Sequence, residues 1–245
     1  MPDIKARSKR VIDFHSHVLP NIDDGSSSLS MSKEILEETR RQKVKKMVAS
    51  PHFYPDRMAL DVFLSKREKA AKELLSIFDE ESCPFVFLGA EVAYYDGIGD
   101  SPLLDHLTIV GTNTVMVEMP FHKWSGKDVS EIVNISLGGR FNVLLAHIER
   151  YPALMDDPYK LEDYINMGCL TQVNISSFVD SHRSVKKKLI KLLNTGHIHL
   201  IGSDCHNLSS RAPEYESGIK EIIKKSGQEA VDVLIKNANI LTSGI

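Results

Sequence analysis

Short β-rich runs alternate with longer helical patterns along nearly the whole chain, and no Pro/Ser/Gly-rich linker divides it into halves. The strand-like runs are residues 11–14, 46–49, 85–88, 114–117, 143–146, 170–173 and 199–201. Between and after them, apolar residues at helical spacing predict helices over 29–42, 58–78, 129–137, 160–167, 185–193, 219–225 and 229–236. The 58–78 stretch carries Val62, Phe63, Ala70, Leu74, Leu75 and Phe78 on this period. The serines of Ser26-Ser27-Ser28 suit an N-cap, and Gly168 and Gly196 stand where helices should stop. Strand, helix, strand repeated in this way calls for a parallel sheet with crossover helices. The expectation is an α/β fold, a single-domain distorted (β/α)7 TIM-like barrel over residues 11–245, with residues 1–10 as an amino-terminal extension.

In such barrels the chemistry gathers at the carboxyl ends of the strands. His15 and His17 lie at the end of the first run, and Asp204 and His206 follow the last. Residues i and i+2 of an extended strand share a face, so each pair can serve one centre. His52, Glu91, Glu118 and His147 fall at the ends of intervening runs. A lone histidine is ordinarily just a hydrogen-bonded residue, and a salt bridge is the ordinary explanation for Glu91 or Glu118. A carboxylate at the inner end of an apolar strand is nevertheless costly to bury unless paired or metal-bound, and the shared placement of all eight points to a multinuclear metal centre. Asp24, in Asn21-Ile22-Asp23-Asp24-Gly25, can fold back over it, although Asp-Gly is also a common turn. His106, His122, His182, His197 and His199 lack this placement and are read as non-ligands. Mixed imidazole and carboxylate donors suit manganese, iron or zinc in a catalytic role. Arg150 and Arg211 closely follow proposed ligands, where a guanidinium grips phosphate oxygens.

The composition excludes several classes. With 30 basic and 33 acidic residues the net charge is -3, too even for binding nucleic acid by charge alone. Lys5, Arg7, Lys9 and Arg10 make the amino terminus basic, but no secretory or membrane-spanning apolar stretch follows. Cys83, Cys169 and Cys205 are odd in number and widely spaced, which argues for a reducing compartment, the cytoplasm. Cys205 and Arg211 do have the Cys-x5-Arg spacing of cysteine-dependent tyrosine phosphatases. The intervening His206-Asn207-Leu208-Ser209-Ser210 has no glycine for a phosphate cradle, and Asp204 would repel a thiolate, so Cys205 is read as a bystander.

Asp13-Phe14-His15-Ser16-His17, Asp23-Asp24-Gly25, Pro51-His52, Gly89-Ala90-Glu91, Val117-Glu118, Ala146-His147-Ile148-Glu149-Arg150-Tyr151 and Ser203-Asp204-Cys205-His206-Asn207 occur in this order. Together they resemble the polymerase and histidinol phosphatase (PHP) superfamily. Within it, they resemble the bacterial tyrosine-protein phosphatases of capsule and exopolysaccharide clusters. The resemblance implies a PHP fold and three divalent cations, usually manganese, with iron, zinc, cobalt or magnesium as alternatives. The ligands it implies are His15, His17, Asp24, His52, Glu91, Glu118, His147, Asp204 and His206. It also implies a substrate: the phosphotyrosine-bearing, tyrosine-rich tail of a bacterial autokinase that controls polysaccharide export.

The chemistry expected of such a centre is attack on phosphorus by a metal-bridging hydroxide, with Arg150 and Arg211 meeting the charge on the equatorial oxygens. A tyrosyl leaving group, of pKa near ~10, needs little help from an acid, and His206 is a candidate donor. Tyr94, Tyr95, Phe121 and Trp124, shortly after Glu91 and Glu118, are candidates to flank the phosphotyrosine or to pack in the core. Hydrolysis of histidinol phosphate or another small phosphomonoester is the nearest alternative, followed by a nuclease or phosphodiesterase.

Overall fold

The computed structural model describes residues 11–79, 81–137 and 139–243, so the basic extension over residues 1–10 lies outside them. Among the described residues the strands are β1 (Val11–Ser16), β2 (Val44–Ala49), β3 (His52–Phe53), β4 (Phe85–Leu88), β5 (Glu91–Ala93), β6 (Thr114–Glu118), β7 (Asn142–Leu145), β8 (Cys169–Asn174) and β9 (Leu200–Gly202). The longer helices are α1 (Leu29–Arg41), α2 (Leu60–Leu75), α3 (Gly126–Leu137), α5 (Pro158–Asn166), α7 (Arg183–Asn194), α8 (Tyr215–Ser226) and α9 (Gln228–Leu241). Two single turns, α4 (Pro152–Met155) and α6 (Ser177–Asp180), complete the α-helices among the described residues, beside short 3-10 segments at Ile98–Asp100, Pro102–His106 and Ile148–Arg150. The Ser28 hydroxyl caps α1 by accepting from the Met31 N–H.

Every strand pair is parallel. The ladders run β1-β2-β4 and β3-β5-β6-β7-β8-β9. Periodicity predicts seven strands; the additional β3 and β5 are short continuations of β2 and β4 beyond Ser50-Pro51 and Gly89-Ala90. Main-chain bonds bridge the gap, from Gly89 N–H to the Ala49 carbonyl and from Glu91 N–H to that of Pro51. Buried Arg67 of α2 gives its guanidinium to the Gly89 carbonyl at 2.8 Å, so the broken ladder is not left unsatisfied. At the other edge, a parallel bridge between Ser16 and Cys205 joins β1 to the segment after β9. The result is a curled parallel sheet with crossover helices.

Most inner positions on the strands are apolar. Phe14, Val48, Phe87, Met116, Leu144 and Leu200 form one buried cluster, while Val92, Val115, Val117, Val143 and Leu145 belong to a larger one that includes helix residues. Because the strands are parallel and the inner cluster precedes His15, His52, Glu91, Glu118, His147 and Asp204 in each, the donors all lie toward the strands' carboxyl ends. No helix among the described residues is long and apolar enough to cross a membrane.

The meeting of first and last strands depends on Gly202. A Cβ there would lie 2.4 Å from His15 Cβ and 2.9 Å from the His15 amide. We expect Gly202→Ala to force β1 and β9 apart and lower stability by about 1–3 kcal/mol, the usual cost of overpacking. A shift of the urea midpoint with unchanged slope is the check, and an unshifted midpoint would show that the strands have room to spare.

Candidate metal centre

Glu91, the first residue of β5, is the hub. Its Oε2 lies 3.1 Å from His15 Nε2, 3.3 Å from His17 Nε2 and 3.0 Å from His52 Nδ1, and its Oε1 lies 2.9 Å from His147 Nε2. His147 Nε2 is also 3.4 Å from Glu118 Oε1. Asp204 Oδ1 approaches His15 and His17 Nε2 at 3.6 and 3.3 Å. His206 Nε2 is 3.4 Å from Asp24 Oδ1, which is also 3.7 Å from His52 Nε2. All nine residues anticipated as ligands therefore converge. Asp24 is the outermost, with its side chain 65% exposed.

The route by which each residue arrives differs from simple strand alternation. From Asp13 to Ser16, β1 advances three residues while its partner advances two, from Met47 to Ala49. Such an irregularity re-aims the side chains around it, and it leaves His15 and His17 with Nε2 atoms 3.1 Å apart. Asp204 and His206 were expected on an extended segment. Asp204 instead has φ of 53°, and His147 has φ of 33°, both in the left-handed region that non-glycine residues seldom occupy. The second pair reaches the centre through left-handed Asp204, with Cys205 between the two bridged to Ser16.

A surrounding layer of polar residues orients the donors, and the sequence reading missed it. His17 Nδ1 donates to Asp23 at 2.8 Å, His15 Nδ1 to Gln172 Oε1 at 3.2 Å, and His206 Nδ1 to the Asp204 carbonyl at 3.0 Å. In each of these rings Nδ1 is engaged outward and Nε2 faces the cluster, the orientation that outer acceptors impose on metal-binding histidines. Gln172 Oε1 also accepts the His147 N–H, its amide donates to Asn174, and Asn174 donates to Asp204 Oδ2. Asp13 accepts from the Ser203 N–H and hydroxyl, and burial lifts its pKa to about 6. Burial likewise opposes charge on Asp23, but His17 and the N–H groups of Gly25 and His52 bring it down to about 2. Gly25 is required for this loop's approach, since a Cβ there would sit 2.3 Å from the His17 carbonyl. The polar residues at inner strand positions, Gln172 and Asn174, were detectable by the same burial-cost argument that identified Glu91.

The donors fit metal ions on two structural grounds. Three sets, His17/Asp24/His52/His206, His15/His17/Asp204 and His52/Glu91/Glu118, each have donor atoms within 4.8 Å of one another. Glu91 Oε2 and His52 Nδ1 are buried and close together, yet neither makes a hydrogen bond of acceptable geometry. Atoms that converge without bonding to one another are poised for a shared cation. Burial opposes charge on both His17 and Glu91, but their partners win: Asp204 and Asp23, with Glu91, hold His17 well above the ordinary imidazole pKa, and His15 and His147, with His17, hold Glu91 well below the usual carboxylate range.

Both arginines reach Asp204, Arg150 through Nη2 to Oδ2 at 2.6 Å and Arg211 through Nη2 to Oδ1 at 2.7 Å. Arg211 Nη1 also donates to His206 Nε2 at 2.7 Å. Burial, with the His17 and Arg211 charges, lowers the His206 pKa to about 4. Cys205 is fully buried, and burial together with the Asp13 charge pushes its thiol far up, against any nucleophilic role. Among the other histidines, His199 bonds Thr171, His197 bonds Thr195 and His182 accepts from the Ser184 N–H at the start of α7.

The family model described as capsular polysaccharide synthesis, CpsB/CapC, matches residues 11–242. Tyrosine-protein phosphatase CpsB of Streptococcus agalactiae serotype V is 30% identical over 240 residues, covering 93% of this chain and 96% of that protein. The fold is similar to solved structures of YwqE from Bacillus subtilis and CpsB from Streptococcus pneumoniae, described as unique metal-dependent tyrosine phosphatases. That match has a TM-score of 0.83 at 23% identity and covers 96% of this chain and 95% of the other. A phosphotriesterase homology protein from Escherichia coli shares the fold more distantly, with a TM-score of 0.60 at 13% identity over 96% of this chain and 99% of the other. A family match from the first described strand to the end of the last helix leaves almost no described residue outside it, and the chain belongs to the capsular polysaccharide synthesis CpsB/CapC family.

Proposed function

We propose that this chain is a metal-dependent protein-tyrosine phosphatase acting on the phosphorylated tyrosine-rich tail of a bacterial kinase in capsular or exopolysaccharide synthesis. The observation that carries the reading is two guanidinium groups, Arg150 and Arg211, held on one carboxylate of a buried imidazole–carboxylate cluster. The tyrosine-protein phosphatase relatives and the capsule family support it. We further read the chain as one PHP-type domain over residues 11–245, a distorted (β/α)7 barrel behind the extension of residues 1–10. The Ser16–Cys205 bridge supports that closure. The free cysteines Cys83, Cys169 and Cys205 fit a reducing cytoplasm.

His15, His17, Asp24, His52, Glu91, Glu118, His147, Asp204 and His206 would hold three divalent cations, manganese ahead of iron, zinc, cobalt or magnesium, as suits mixed nitrogen and oxygen donors. The chemistry supplied by these cations is Lewis acidity toward water and the phosphoryl oxygens. Arg150 and Arg211 bind and orient those oxygens, with planar forks at the mouth that meet charge as it develops. Asp23, Gln172 and Asn174 keep the donors aimed, so the centre needs little reorganisation during turnover.

With phosphotyrosyl peptide, Arg150→Ala and Arg211→Ala should each lower kcat/KM by roughly 10²–10³-fold, whereas Cys205→Ser should remain active. A panel of phosphotyrosyl peptide, histidinol phosphate and single-stranded DNA, assayed with manganese, tests the substrate class. Consumption of DNA alone would overturn the proposal.

Chelation should abolish hydrolysis and added manganese restore it. Glu91→Gln should lose bound metal, measured by elemental analysis of the purified protein. Full metal retention in that variant would remove Glu91 from its central role.

The centre should also exchange cations for protons. Without cations, burial disfavours charge on His147, but hydrogen bonds to Glu118 and Glu91 raise its pKa to about 9. That contribution to stability is complete below the ordinary value of 6.5 and is lost as pH rises through about 9. Since cations take the deprotonated ring, loading should release protons and tighten with rising pH across this window. Calorimetric titration in buffers of different ionisation enthalpy checks this, and buffer-independent heats would contradict it.

A further inference from the structure

Two clefts of opposite chemistry border the donor cluster. One, of about 330 Å3, is lined by Arg150, Asn174, Ser176, Asp204, Ser210 and Arg211 among others. The other, of about 510 Å3, touches the cluster at Glu118 and is lined by Tyr54, Tyr94, Tyr95, Met119 and Phe121 among others. Phosphoryl oxygens belong on the arginine side, and an aromatic leaving group belongs with the aromatic side chains.

Two rings in the second cleft lie directly beside proposed ligands. Phe121 is 57% exposed, an unusual placement for a large apolar side chain. Its ring stacks at 19° on that of His147, with centroids 6.1 Å apart, and it is backed by Tyr151 at 5.7 Å. The Tyr151 hydroxyl accepts the Met119 N–H at 2.9 Å and so ties down the chain leading to Phe121. Beside the other ligand, the Tyr54 ring lies 5.0 Å from that of His52, with the Arg57 guanidinium over it at 4.4 Å. Of the other aromatic residues expected near the substrate, Tyr94 and Tyr95 line the same cleft without a ring contact to a proposed ligand among the described residues. Trp124 is buried with its indole N–H on the Pro120 carbonyl, and the Tyr95 hydroxyl donates to Ser101.

We propose that Tyr54 and Phe121 are specificity-determining residues, the walls of an aryl slot that takes the tyrosyl ring of the substrate while Arg150 and Arg211 take its phosphoryl group. This rests on the phosphatase reading above. The slot selects phosphotyrosine because a phosphoseryl group, lacking the ring, reaches the same cations and arginines without touching either wall. Offset or edge contacts between rings add to simple area burial, so each wall contributes a modest, separable share of affinity.

The test is binding of phenylphosphonate and methylphosphonate to the manganese-loaded protein by calorimetry, in wild type, Phe121→Ala, Tyr54→Ala and Phe121→Tyr. Each alanine variant should weaken phenylphosphonate binding by roughly 3- to 10-fold, as expected for loss of one aromatic contact, and leave methylphosphonate binding unchanged. Phe121→Tyr should behave as wild type. Equal weakening of both ligands, or of neither, would overturn the slot, and metal content measured on each variant guards against loss of the cluster itself. Hydrolysis of phosphotyrosyl peptide by wild type is measured separately. Its failure removes the phosphatase reading and the slot with it, whereas hydrolysis with no aryl selectivity removes the slot alone.

Discussion

Burial of negative charge is the constraint to which the rest of this structure answers. Glu91 and Asp204 are almost fully removed from water, and like charges so close are unfavourable unless positive charge accompanies them. Imidazoles, two guanidinium groups and a capacity for divalent cations meet that demand. The parallel sheet makes the meeting geometrically cheap, since every strand delivers its last residues to the same end.

Holding such a cluster in register requires departures from regular structure. The extra residue in β1 and the left-handed backbone at His147 and Asp204 each run against local preference. They persist because the neighbours over-determine them. The Asp204 N–H is bonded to the His15 carbonyl, its carboxylate to Asn174 and both arginines, and the His147 N–H to Gln172. Rigidity bought in this way lets a site of charged groups keep its shape in water.

Much of this was legible in the chain because its signals are periodic. The main strands and helices follow from hydrophobic spacing, and the donors follow from their position at the ends of apolar runs. The strands at His52–Phe53 and Glu91–Ala93 were not, since two or three residues are too few to carry a period. Neither was the backbone at Asp204, where tertiary bonds override the extended preference suggested by its i, i+2 partner His206. Of the neighbouring carboxylates Asp23 and Asp24, sequence singled out the second. The structure gives both a place, Asp23 as a buried brace for His17 and Asp24 as the rim group near His52 and His206. Spacing alone does not distinguish adjacent aspartates, because the loop's fold decides which one turns inward.

Asp13 and Ser203, joined by two hydrogen bonds, are 190 residues apart in sequence. A contact of that span raises the contact order and delays the step at which the loop it closes is compensated by native interactions. A nascent chain still awaiting β9 can present His15, His17 and Glu91 but lacks Asp204 and His206, as well as the wall against which His15 packs. The centre is therefore complete only when the segment carrying Asp204 and His206 has packed against β1, and until then the early donors lack the partners that would neutralise them.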